Sequence, residues 1–518
     1  MLNRRQALGG AVAGGALLAA DRALARDGGD ADLRTLLDKL AKGGPAAERL
    51  AALKAFPVTN LSPNARLDRD AVLQAFETEA EIARRFPFGA GPGAPYVVTT
   101  RAGSWLKVAD AVKAGGESPG ALSVKLDIET DKILADAAHG VVPPAFVIDK
   151  VVAGQAKAGG AASGDLAAAL ARQSQALNAL RAKAGEGVGV RFGDAAAYYE
   201  LVLKLNLGMA VTPAEAHARG LEAVRVFGAR ADRLLRARGL TKGTIGARLA
   251  ALSRDPRWLY GDDDAGRDKL VADMNGWLEK AKSRLPKSFG AVPPGARTAR
   301  ISRMTRADEA AARQGYRDAP SFDGKRPGVY FVDLAAIRSR PSWTLASVAH
   351  HEAVPGHMLQ IPMEEGSGAH PLRTRLACPG FVEGWAIYAE QLADEEGAFA
   401  GAPLAELGYL QWMLFRAGRL VVDTGLHAKG WTRARAEAWF ADLQGPPPVF
   451  APIAQDVERA AIGPGSVAGQ GLAWLELVRI REAARRRQGR DFDLKAFHDA
   501  ALWNGVLPLS TLRARVLA

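Results

Sequence analysis

The stretch His351-Glu352-Ala353-Val354-Pro355-Gly356-His357 constrains this chain more than any other, because its side chains and its backbone make opposite demands. Two imidazoles and a carboxylate in so short a span suggest a zinc hydrolase site. In the usual His-Glu-x-x-His helix the histidines are four apart and share a face, with the glutamate as base. Here they are six apart, which on an ideal helix is about 240° of rotation. They cannot both reach an ion at about 2.0–2.1 Å unless the helix breaks between them. Pro355 removes a backbone donor and clashes with the carbonyl four residues back, and Gly356 tolerates backbone angles that other residues avoid. A loop-out at Val354-Pro355 would return His357 to the second ligand position. The pair His350 and His357 shares a face but is separated by a rise of about 10.5 Å, too far for one ion. His351 and His357 are therefore expected as metal ligands and Glu352 as general base, with His350 a packing or supporting residue.

A catalytic zinc takes three protein ligands and keeps a position open. Glu383, at the head of Glu383-Gly384-Trp385-Ala386-Ile387-Tyr388-Ala389-Glu390, is the expected third ligand. Glu390, two turns along, is placed to orient a ligand histidine. His139, His217 and His370 lack such context and read as surface or structural residues.

With these motifs in hand the chain resembles the bacterial family called domain of unknown function 885. Further segments carry the resemblance: Leu420-Val421-Val422-Asp423-Thr424-Gly425-Leu426-His427, Asp323-Gly324-Lys325-Arg326-Pro327-Gly328-Val329-Tyr330-Phe331 and Phe497-His498-Asp499-Ala500-Ala501-Leu502-Trp503-Asn504. Earlier pieces at Phe86-Pro87-Phe88-Gly89, Gly140-Val141-Val142-Pro143-Pro144 and Thr212-Pro213-Ala214-Glu215 extend it over nearly the whole chain. The resemblance implies a mostly α-helical protein similar to gluzincin-type zinc peptidases, such as the thimet oligopeptidase and carboxypeptidase groups, with a small β-hairpin or sheet near the active site. It implies one Zn2+ per chain on His351, His357 and Glu383, and hydrolysis of a peptide bond by zinc-activated water with Glu352 as base. His427 and His498 match later family histidines, as oxyanion donors or as structural residues. Two departures stand out: Met358 replaces a second histidine after the motif, and Trp474 stands where a tyrosine is expected. An indole donates a hydrogen bond but neither accepts one nor titrates. Trp474 therefore keeps open a catalytically inactive zinc-binding envelope protein, and a hydrolase of a non-peptide amide is a third reading.

Residues 1–25 read as a twin-arginine-type signal peptide, from Asn3-Arg4-Arg5-Gln6 through an apolar run to Ala23-Leu24-Ala25, which predicts export to the periplasm or beyond. Residues 26–518 are expected as one large α-helical metallohydrolase domain, as one body or two lobes around a cleft. No later stretch has the length of a membrane span. Cys378 is the sole cysteine, so no internal disulfide is available. The formal charge of +12 is modest for 518 residues, and the run Arg479 to Arg490 reads as a solvated helix face rather than a nucleic-acid site. The expected partner is a peptide or a small amide substrate.

Expected local structure includes helices over 30–85 and 103–185 with a break at 86–95, and a polar connection at 154–165. Thr212 reads as the N-cap of a helix with Pro213 at its first position and Glu215 closing a capping box. Another helix is expected over 265–285, ended by Pro286. The β signals are 298–304 and 328–334, where Val329-Tyr330-Phe331-Val332 would serve as an edge strand that binds extended peptide or as a stabilising hairpin with no ligand role.

Overall fold

The computed structural model describes residues 29–518 apart from 114–116, 161, 186, 312 and 446–451. The expected signal peptide at 1–25 lies outside the described residues. Helices dominate, as expected, with a small sheet beside the histidine motif.

Nine helices frame the site: α1 (Pro213–Arg236), α2 (Asp264–Ser288), α3 (Leu345–Glu352), α4 (His357–Ser367), α5 (Phe381–Glu395), α6 (Pro403–Ala428), α7 (Ile453–Ile462), α8 (Ser466–Gln488) and α9 (Leu494–Leu502). The organising element is α6. Its residues from Leu407 to His427 are all buried, charged ones included. A helix apolar on one stripe can sit at a surface, but one buried all round must be surrounded by others. Helices α1, α3, α5, α7 and α8 pack around it. On α1, Ala216, Gly220, Ala223, Phe227, Ala231 and Leu235 form the buried stripe at helical spacing. A Cβ on Gly220 would come within 2.8 Å of Val421, so the glycine sets how closely α1 and α6 approach.

Thr212 caps α1 as expected, its hydroxyl accepting from the Glu215 N–H at 3.1 Å. The reciprocal half of the capping box is missing, because the Glu215 carboxylate is drawn outward to Arg219. Pro286 lies inside α2, which runs to Ser288 rather than stopping before the proline. The helix Ala145–Gly159 continues through Gly154, so the connection to Gly164–Ala184 is shorter than expected. These two helices and Pro119–Ala138 carry small apolar clusters separate from the main core.

The sheet departs from the edge-strand expectation. Among the described residues it has three strands: β1 (Arg300–Arg303), β2 (Tyr316–Asp318) and β3 (Val329–Val332), in the order β1-β3-β2. Val329–Val332 is thus the centre, parallel to β1 and antiparallel to β2, with both edges occupied. It cannot take a peptide as an edge strand, because its backbone groups are already paired. The edge nearest the histidines is β2, too short to read from periodicity.

Of the basic run at 479–490, residues 485–490 are solvated as expected. Arg481 is the exception. It is buried and bonds Tyr388 and Glu395. No helix among the described residues is long and apolar enough to cross a membrane.

Candidate metal centre

The break between the histidines forms where the sequence places it. Helix α3 ends at Glu352, the Val354–Pro355 peptide is cis, and α4 starts at His357. The backbone stays hydrogen-bonded across the excursion: Gly356 N–H donates to His350 O at 3.0 Å and Met358 N–H to Ala353 O at 2.9 Å. Gly356 has a negative φ, so a left-handed conformation is not the reason for glycine here. Space is the reason. A Cβ would stand 2.0 Å from His351 O and 2.6 Å from His350 O.

Five members of the Glu383–Glu390 segment make specific contacts. Glu383 projects toward both histidines, with Oε2 3.6 Å from His351 Nε2 and Oε1 3.6 Å from His357 Nε2. Gly384 allows α8 to approach, since a Cβ would meet Ala473 at 2.6 Å. Trp385 donates its indole N–H to Pro355 O at 2.9 Å and so clamps the excursion. Tyr388 pairs with His498 on α9. Glu390 accepts from His351 Nδ1 at 2.8 Å and from the Ser347 hydroxyl. That bond places the His351 proton on Nδ1 and leaves the Nε2 lone pair facing Glu383.

The donor set fits a small divalent ion. Ligand atoms of His351, His357 and Glu383 all lie within 4.8 Å of one another. Two bonds of about 2.0–2.1 Å at a tetrahedral angle separate their ends by about 3.3 Å, close to the 3.6 Å measured for each histidine–glutamate pair. His357 is fully buried, yet neither ring nitrogen has a hydrogen-bond partner among the described residues. An imidazole in that state loses its hydration without compensation unless something else binds it.

Electrostatics act in opposite directions on the two imidazoles. Burial, reinforced by the Arg317 charge, holds His357 well below its ordinary value and therefore neutral. Burial and the Arg416 charge also press His351 downward, but the Glu383 and Glu390 carboxylates, which accept from its ring, outweigh them and leave it raised. Burial alone would raise Glu383; the bond from His351, followed by the Arg416 charge, holds it well below the usual carboxylate range.

Two arginines that the sequence reading missed complete the site. Arg317, on β2, donates from Nη1 to Glu352 Oε2 at 3.0 Å and lies 3.8 Å from Glu383 Oε1. Arg416, on α6, has Nη2 at 3.4 and 3.3 Å from the two His351 ring nitrogens. An atom equidistant from both nitrogens lies along neither lone pair, so the guanidinium does not take the metal-facing direction. No local signal marks either residue, since their positions depend on β2 pairing with β3 and on α6 threading the core.

His427 and His498 are corrections. The His427 Nδ1 accepts from Val190 N–H at 3.1 Å, and Nε2 donates to Ala460 O at 2.9 Å. His498 bonds Tyr388 Oη and Ser288 O, both at 2.7 Å. With both ring nitrogens engaged, neither histidine is free to stabilise an oxyanion; each ties neighbouring segments together. Asp423 of the same α6 motif accepts from Tyr199 Oη, Gly465 N–H and Ala468 N–H, anchoring the start of α8. Trp474 is buried against Phe227 and donates to Gln391 Oε1 at 2.7 Å. Gln391 lies eight residues beyond Glu383, about 12 Å along the helix, so the indole belongs to a helix interface.

His350 bonds Ala346 O through Nδ1 and packs on Phe399. His370 caps a short helix and meets Asp38, His217 bonds Thr424, and His139 is exposed, all as expected of structural or surface residues. Cys378 is buried, and burial pushes its thiol up to about 12.

Two solved structures are similar to this one. A candidate lipoprotein from Colwellia psychrerythraea is 26% identical with a TM-score of 0.74, covering 91% of this chain and 89% of its own. A candidate lipoprotein of unknown function from Shewanella oneidensis is 18% identical with a TM-score of 0.64, covering 97% of both. Among curated proteins none matches this chain. The profile of the family described as "Bacterial protein of unknown function (DUF885)" matches residues 38–516, and the chain belongs to that family.

Proposed function

We propose that the protein is an exported zinc-dependent peptidase of gluzincin-like architecture, with zinc on His351, His357 and Glu383 and Glu352 as general base. One observation carries the reading: His357 is fully buried with two unpartnered ring nitrogens, one of them 3.6 Å from a carboxylate that also faces His351. Two histidines and a glutamate form a donor set of catalytic zinc sites. Zinc held there supplies Lewis acidity to a carbonyl and makes water acidic near neutral pH.

The chain's own groups account for the proton traffic. Glu352 closes α3 next to the ligand His351, mostly buried but not sealed. Arg317 fixes its Oε2, while Oε1 has no hydrogen-bond partner among the described residues. Oε1 is thus free to accept the proton of a water attacking the amide carbon, and to return it to the nitrogen as the C–N bond breaks. Glu390 holds the His351 ring throughout. Because Trp474 is engaged with Gln391, the missing tyrosine hydroxyl at that position is no argument for an inactive scaffold. Export is supported by the twin-arginine-like residues 4–5 and by similarity to two candidate lipoproteins.

The test is Glu352→Gln assayed on a peptide library. The variant is expected to retain about one zinc per chain by elemental analysis, and to lose about 10²–10⁴-fold in hydrolysis. Unchanged, chelator-sensitive hydrolysis by the variant would sink the assignment.

A further inference from the structure

Away from the metal centre, three tryptophans line one open concavity of about 320 Å3. Trp258 comes from the turn Pro256–Trp258, Trp277 from α2, and Trp343 from the turn that leads into α3. Arg238, two residues past α1, and the first turn of α6 complete the wall. Ligand sites are concave, largely apolar and fitted with a few polar groups, at about 300–1,000 Å3, so this one suits a small molecule.

Donors around this pocket lack acceptors. Trp343 is only 3% exposed, and neither its indole N–H nor that of Trp258 has a hydrogen-bond partner among the described residues. Buried tryptophans usually satisfy that donor, and Trp105, Trp385 and Trp474 do so at 2.7–3.0 Å. At the start of α6, Ala402 holds the N-cap position with no side-chain oxygen to offer. The backbone N–H groups of Leu404 and Ala405, from which a capping side chain would accept, have no acceptor among the described residues. Arg238 is exposed and forms no hydrogen bond or ion pair among them. An aromatic pocket can instead hold a cation over its ring faces. Here no acidic side chain lines the wall, an arginine does, and the first turn of a 26-residue helix adds positive partial charge. Those features repel a cation and suit an oxyanion, which would accept from the helix N–H groups and the guanidinium while its body lies against the indoles.

We propose that this pocket is a second ligand site, which takes a small carboxylate with a ring-shaped body. The carboxylate sits on the first turn of α6 and Arg238, and the body packs on the tryptophans. The body has two sources, an aromatic ring or the apolar face of a sugar. No lining residue belongs to the metal centre, so the inference stands apart from the peptidase reading.

Calorimetric titration of the purified protein with two matched pairs tests it: phenylacetate against phenylacetamide, and glucuronate against glucuronamide. Each amide keeps the body and removes the charge. At least one acid is expected to bind about 10-fold or more tightly than its amide, and the pair that shows the difference identifies the body. Ala402→Asp puts a carboxylate of the chain's own at the N-cap of α6. It is expected to abolish the preference for the acid while raising the unfolding midpoint, because the helix is then capped from within. Arg238→Gln, at an exposed position, is expected to weaken the acid about 2–5-fold and leave the amide unchanged. Equal binding of acid and amide in both pairs, or binding of none of the four compounds, overturns the inference. Acid binding that persists unchanged in folded Ala402→Asp overturns it as well.

Discussion

Gly356→Ala isolates the step by which a six-residue histidine spacing becomes the proposed metal site. The new methyl carbon would stand 2.0 Å from His351 O, 2.6 Å from His350 O and 2.7 Å from His351 C, where such contacts essentially never fall under 3.0 Å. Relief requires a displacement of roughly 1 Å between the end of α3 and the start of α4. Neither neighbour yields as a flexible side chain would, because all three atoms are backbone. Zinc ligand distances tolerate only about ±0.2 Å, so this displacement exceeds the tolerance about fivefold. The variant is expected to lose zinc affinity about 100-fold or more. That is beyond the 10–100-fold typical of residues that merely support a ligand. Overpacking of this kind also destabilises the fold by about 1–3 kcal/mol. Competition with a chromogenic chelator measures the first effect, and urea unfolding of the metal-free protein the second. Gly276→Ala is the control: that glycine lies inside α2 with nothing within 4 Å of an added Cβ. It is expected to gain up to about 1 kcal/mol of stability with unchanged zinc affinity. Wild-type zinc affinity in Gly356→Ala would refute the argument that the close approach of residue 356 to residue 351 holds the ligands together.

Three further outcomes are expected. Glu390→Gln keeps the shape but weakens the acceptor that orients His351, and should reduce zinc affinity about 10–100-fold, measured by the same competition. His498, buried between α2, α5 and α9, is pushed down to about 3 by burial. Its folded value lies below the unfolded value of about 6.5, so its stabilising contribution is present above that pH and declines as pH falls toward 3, at about 1.4 kcal/mol per unit. Wild type should therefore lose about 2.3 kcal/mol more than His498→Gln between pH 6.5 and 4.5 in urea titrations, and parallel losses would contradict the assignment. Asp423→Ala orphans Tyr199 Oη and the Gly465 and Ala468 N–H groups, and should destabilise the fold by about 3–5 kcal/mol. A change under about 1 kcal/mol would mean that α8 is anchored elsewhere.

The sequence by itself determined the helical class, the break at Pro355-Gly356, the convergence of His351 and His357, and the cap at Thr212. These are decided within a few residues, by helical rotation, the missing proline donor and the side-chain oxygen of a threonine, so they are legible without knowing what packs where. Glu383 and Glu390 were legible for a related reason, since seven residues on one helix keep the proposed ligand and its supporting carboxylate on nearly the same face. Tertiary structure decided the remainder. Val329–Val332 reads as an edge strand on its own, and became central only because β1 and the three-residue β2 pair on either side of it. His427 and His498 have the composition of catalytic histidines and serve as structural ties, because a ring nitrogen's role is set by whichever group arrives from a distant segment. Arg317 and Arg416 reach the site from a short strand and from the buried α6, and neither position leaves a periodic or compositional trace. Local geometry is encoded locally, whereas the partners of a buried charge are chosen by how the helices pack, a long-range property that no window of sequence contains.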